Sequence, residues 1–142
     1  MAKSKYSQYV LTEPKPNRPL PPLPKNAVTD LIYLDDEVIK GAFNLICAWF
    51  WPRKDRMVVI PEAHTHTSGE VVAFFGSNPA DPHDLGGEIE FWLGDEPLIL
   101  TKSCAVYAPP GVKHNPLIFR RIDRPIFHFS TLPETMYTLQ KS

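Results

Sequence analysis

The chain has 142 residues, enough for one domain with a substantial core, and 43% of them are apolar and 11% aromatic. Its 15 basic and 16 acidic residues leave a formal charge of -1, which offers no electrostatic attraction to nucleic acid or to an anionic membrane surface. No apolar run reaches bilayer-spanning length, and the start, MAKSKYSQYV, lacks the apolar centre of a secretion signal, so the expected location is the cytoplasm.

The chain opens with an arm, residues 1–27, that is unlike the rest. Six of the 16 prolines (Pro14, Pro16, Pro19, Pro21, Pro22 and Pro24) fall within EPKPNRPLPPLP, where fixed φ and missing N–H donors rule out helix and ladder and favour extended polyproline geometry. Leu11, Leu20 and Leu23 give this arm side chains to bury along its own barrel or a partner subunit. From residue 28 to 142 the chain reads as short apolar segments cut by turns. Expected strands are 31–34, 44–51, 57–60, 70–75, 88–93, 98–101, 104–107, 115–121 and 125–130, rich in Val, Ile, Phe, Tyr and Trp. Turn residues separate them at 52–55, 94–96, 109–111 and 122–124. The longest internal loop, 76–87 (GSNPADPHDLGG), has the composition of a mobile rim loop. Only 133–140 is expected to form a short helix. Many short strands without helices predict an all-β sandwich or barrel. Cys47 and Cys104 are expected as free thiols in a reducing compartment.

Chemistry concentrates in PEAHTHTSGEVVAFFG. His64 and His66 are two apart, so on an extended backbone both imidazoles share a face. Ser68-Gly69 can turn the chain into the next strand, where Glu70, Val72 and Phe74 share a face. Two imidazoles and a carboxylate suit a divalent transition metal, which also explains a carboxylate facing inward. A further imidazole comes from YAPPGVKHNPL, where His114 follows the Pro109-Pro110-Gly111 turn. Other residues admit two readings. Glu88 and Glu90, opposite Ile89 and Phe91, are either a solvated outer face or catalytic candidates, one of them entering the cavity as a general base or a partner for a ligand histidine. His128 either lines the cavity or is a packed core histidine, and His83 is expected in the rim loop. Arg120, Arg121 and Arg124 read as a solvated hairpin, with an anion-binding lip as the alternative. No phosphate-cradling glycine loop, nucleophile elbow, zinc-protease motif or zinc finger is present in the sequence.

Across 28–131 these motifs resemble the cupin superfamily. Its first motif is Gly, five residues, His-x-His, three or four residues, Glu, six residues, Gly, and His64-Thr65-His66 with Glu70 match it. Its second is Gly, five residues, Pro-x-Gly, two residues, His, three residues, Asn, and Pro109-Pro110-Gly111 with His114 match it. Val58 stands where the first glycine belongs, Gly76 arrives one residue early, and Ser103 and Ile118 replace the outer positions of the second motif. The resemblance implies a cupin-type jelly-roll β-barrel with His64, His66, Glu70 and His114 around one divalent ion (Mn, Fe, Ni, Co or Zn). It also implies a small-molecule ligand or substrate rich in oxygen. A metal-dependent enzyme such as a decarboxylase, dioxygenase or isomerase is one expectation. A non-catalytic metal-dependent binding or sensor protein is the other. Single-domain relatives commonly pair, so a homodimer is expected.

Overall fold

The structure is a computed structural model that describes residues 4–16 and 22–134. Pro19, Leu20 and Pro21 of the arm, and the expected helix from residue 135 onward, lie outside the described residues. Nine strands form among them: β1 (Val28–Leu34), β2 (Asn44–Phe50), β3 (Met57–Ile60), β4 (Glu70–Phe75), β5 (Asp84–Leu93), β6 (Glu96–Lys102), β7 (Cys104–Ala108), β8 (His114–Ile122) and β9 (Ile126–Leu132). They build two antiparallel sheets, one ordered β1-β2-β9-β4-β7 and the other β3-β8-β5-β6. The turns fall where Pro and Gly placed them. Gly94 and Gly111 take φ of 64° and 77° in the β5–β6 and β7–β8 connections, a conformation that costs a residue with a Cβ.

Alternation decides the core. Phe50 on β2, Phe74 on β4, Ile89 and Phe91 on β5, and Leu117 and Phe119 on β8 all turn inward and are buried. Phe119 stacks on Phe50 at 4.4 Å between ring centres and meets Phe74 edge-on at 6.0 Å, which joins the two sheets through the barrel.

Two expectations about bounds change. β1 begins at Val28, and a bulge between Asp30 and Ile32 sets Leu31 out of register. β5 begins at Asp84, so the last third of the expected mobile loop, residues 84–87, is strand, with Leu85 fully buried. That loop also leaves β4 at the end opposite Glu70, and none of residues 76–87 lines the cavity described below.

The arm meets the barrel at a few described residues. Lys15 bridges Asp35 and Glu37 at 2.9 and 2.7 Å, Leu23 and Pro24 reach the cavity wall, and Ala27 enters the core.

Candidate metal centre

His64, His66, Glu70 and His114 converge. One potential ligand atom from each lies within 4.8 Å of all the others, and all four residues are buried. The convergence has a backbone cause. His64 and His114 exchange a pair of N–H···O=C bonds at 3.1 and 3.0 Å, which locks the segment before β4 against the start of β8. The Gly111 N–H donates to the His66 carbonyl at 3.0 Å, so the Pro-Pro-Gly turn seats the second motif on the first. Glu70, first residue of β4, then faces the three rings, whose centres are 4.5 to 5.0 Å apart.

The electrostatics leave room for a cation. Burial pushes the Glu70 carboxyl up, but the His114 and His66 imidazoles against it prevail and hold it at about 2. Burial and the neighbouring His114 and His66 rings hold His64 down at about 4, so at neutral pH it is uncharged. A buried carboxylate held ionised by its neighbours is costly without a positive partner, which a bound cation would supply. The His114 ring is fixed by its Nδ1 facing the Val112 carbonyl at 3.4 Å, which turns Nε2 inward. That Nε2 sits 2.8 Å from Glu70 Oε1. Three imidazoles and a carboxylate whose possible ligand atoms gather within 4.8 Å of one another fit a divalent transition metal.

A cavity of about 800 Å³ opens on this cluster and includes His64, Glu70 and His114 in its wall. Most of the rest is apolar, including Ile46, Phe50, Val59, Val72, Phe91 and Leu117.

The structure does not bring Glu88 and Glu90 to this site. Both lie on the outer face of β5, opposite buried Ile89 and Phe91, and bind the Arg120 guanidinium at 3.1 and 2.8 Å. The Arg120 contact holds the Glu88 carboxyl below its ordinary range, and the Trp92 indole N–H and Arg120 do the same for Glu90. The expectation of a general base at either position is thus corrected by strand alternation, which turns both outward. The same carboxylates offset Arg120 and Arg121, so no unopposed anion-binding lip forms there. His83 is exposed in the distal loop.

Asp30, Tyr33 and His128 do line the cavity. Sequence reasoning missed Asp30 and Tyr33. The expected strand began one residue after Asp30, and only the bulge at Leu31 puts Tyr33 on the same inner face. Pairing of Asp30 with Ala48 and of Tyr33 with Ile46 fixes that placement.

No family model and no curated protein matches the chain. Solved structures do, at identities that speak to fold alone. A double-stranded β-helix domain protein from Klebsiella pneumoniae matches with TM-score 0.53 and 12% identity over 100% of this chain and 98% of its own. Peruvianin-I, described as a cysteine peptidase from Thevetia peruviana latex, gives 0.57 and 9% over 98% and 80%. The polyketide cyclase RemF from Streptomyces resistomycificus gives 0.51 and 12% over 99% and 85%. The chain spans 45% of the length of a DMSP lyase that matches with TM-score 0.43 and 13% identity over 72% of this chain. Nine antiparallel strands in two sheets, among the described residues, give the chain the fold of the double-stranded β-helix domain it matches over its whole length.

Proposed function

We propose that His64, His66, Glu70 and His114 bind one divalent transition metal and that the protein is a metal-dependent enzyme acting on a small molecule with a carboxylate or carbonyl group. The observation that carries this reading is the cavity. A structural metal site is closed by its protein ligands, whereas three of these four side chains open on about 800 Å³ of space. Three neutral imidazoles and one carboxylate leave a divalent ion with a net charge of about +1 and, if octahedral, two open positions. Such an ion supplies Lewis acidity toward a chelating oxygen. The chain's own part is to hold the donors, exclude bulk water with the Phe50, Phe91 and Leu117 wall, and present Asp30, Tyr33 and His128 to the ligand.

The reaction class stays among decarboxylation, dioxygenation and isomerisation. A cysteine-peptidase chemistry, which the Peruvianin-I likeness raises, is opposed by burial pushing both the Cys47 and Cys104 thiols up, away from the thiolate a nucleophile needs. A sensor without an acid or base beside the metal is the second reading, and the polar side chains Asp30, Tyr33 and His128 in the cavity wall weaken it. A cytoplasmic homodimer with the 1–27 arm set against the 28–142 barrel completes the proposal.

Elemental analysis of the purified protein, followed by a panel of small carboxylic and carbonyl substrates with Mn(II) or Fe(II), tests it. Stoichiometric metal and turnover abolished by Glu70→Gln are expected. A metal-free protein after growth in metal-replete medium refutes the metal. Tight ligand binding without turnover selects the sensor.

A further inference from the structure

His128 is the cavity residue that the metal reading leaves without a task. It sits in the middle of β9, paired with Ala48 on β2 and Phe74 on β4, with its side chain on the inner face. Its ring stacks on Phe74 at 4.9 Å and 26° and meets Phe50 edge-on at 6.0 Å and 69°, so its plane is fixed by aromatic contacts on two sides. Its Nδ1 lies 3.0 Å from the Ala73 carbonyl. A carbonyl can only accept, so Nδ1 carries the proton and donates, and Nε2 of the neutral ring is left as a lone-pair acceptor. Burial, outweighing the Ala73 hydrogen bond and the Glu70 charge, keeps the ring neutral at physiological pH, its value lying at about 4. The ring lines the cavity, and the bond to Ala73 is its only hydrogen bond with the described residues. An acceptor held in a largely apolar chamber is a recognition element for a donor, because an occupant without one strips it of water and leaves it unsatisfied.

The second fact is distance. Glu70 opens β4 and Phe74, the pairing partner of His128, lies four residues further along it. At about 3.3 Å per residue that separates the metal-capable end from the His128 level by about 13 Å of strand, less what the side chains reach inward. Between the two levels most of the wall is apolar, including Ile46, Phe50, Val72, Phe91 and Leu117, with Tyr33 and Ser130 as polar side chains at the Ile46 and Val72 level. A cavity of about 800 Å³ falls within the range of roughly 300–1,000 Å³ usual for small-molecule sites.

We infer that the cavity takes an elongated aryl or similarly apolar carboxylate whose far end carries a hydroxyl or N–H donor, and that His128 Nε2 accepts from that donor and sets the ligand's length and polarity. The inference rests on the metal reading above for the carboxylate end. It narrows the substrate from oxygen-rich to amphipathic, because the wall between the two polar ends is mostly carbon.

The test uses protein loaded with Mn(II), its metal content measured first. Benzoate, phenylacetate and 3-phenylpropionate, each with its 4-hydroxy counterpart, are titrated by calorimetry. At one chain length the hydroxylated acid should bind about tenfold tighter than its parent. His128→Phe should erase that preference at unchanged metal content, and His128→Gln, which keeps an acceptor, should retain part of it. No preference at any length, a preference that survives His128→Phe, or no binding by any of the six acids to fully loaded protein overturns the inference and leaves the metal assignment intact. Failure to load metal strikes the metal assignment itself and this inference with it, and is seen before any ligand is added. The wild-type comparison needs no variant, so a misfolded His128→Phe protein does not rescue the idea.

Discussion

At the scale of single residues, the candidate centre depends on how each side chain is held. His114 contributes to the cluster through its ring and to the fold through its backbone bonds to His64, and the two roles separate on substitution. His114→Ala should therefore lower metal content at least tenfold while the circular dichroism spectrum stays that of the wild type; full occupancy would strike His114 from the ligand set. His128 gives a pH prediction. Its folded-state value of about 4 lies below the ordinary 6.5, so between those values the unfolded chain binds a proton that the folded chain does not. The stability its neutral ring provides is complete above about pH 6.5 and is lost as pH falls toward 4. Its edge faces the cavity, so the loss should be about 1–2 kcal/mol, short of the full shift. Urea unfolding of metal-free protein at pH 7 and pH 4.5 measures it, and His128→Phe should shrink the difference. His64 is also held low, so some difference should remain.

At the scale of elements, strand alternation made most of the barrel readable in advance. His64 and His66 with their Thr65 spacer, Glu70 with Val72 and Phe74, and Glu88 and Glu90 against Ile89 and Phe91 each carry a two-residue period that names two faces. Which face points inward is not in the period, and this is why Glu88 and Glu90 stayed undecided until Arg120 was seen beside them. The bulge at Leu31 and the early start of β5 escaped for a different reason: both are set by the neighbouring strand's register, which leaves no local signal. Gly76 illustrates a motif that shifts by one position and keeps its work. A Cβ there would run into the Asp84 backbone carbonyl, and its N–H is taken by Ser103 Oγ at 2.9 Å. Because a backbone atom cannot step aside, Gly76→Ala should cost about 1–3 kcal/mol in chemical denaturation. Phe119→Ala, which removes the ring bridging Phe50 and Phe74, should cost about 3–5 kcal/mol. A near-neutral result for Phe119→Ala would show that the barrel collapses around the gap.

At the scale of the whole molecule, the proposed site would link metal binding to folding, since the four donors meet only when both sheets are assembled. Saturating metal at a hundredfold excess over its dissociation constant should stabilise the protein by about 2.7 kcal/mol. Thermal unfolding with and without a chelator reads this directly, and His114→Ala should abolish the difference. An identical midpoint in both conditions for the wild type would contradict the proposed site.

The sequence by itself determined the strand count, the turns and the four residues of the cluster, because period, Pro and Gly placement and ligand spacing are local properties that survive without any fold. Only the tertiary structure decided which carboxylates face out, that the 76–87 loop lies away from the cluster, and that Asp30, Tyr33 and His128 share a chamber with it. Those facts arise where strands far apart in the chain pair in a particular register and enclose a volume, and an enclosed volume belongs to no single stretch of residues.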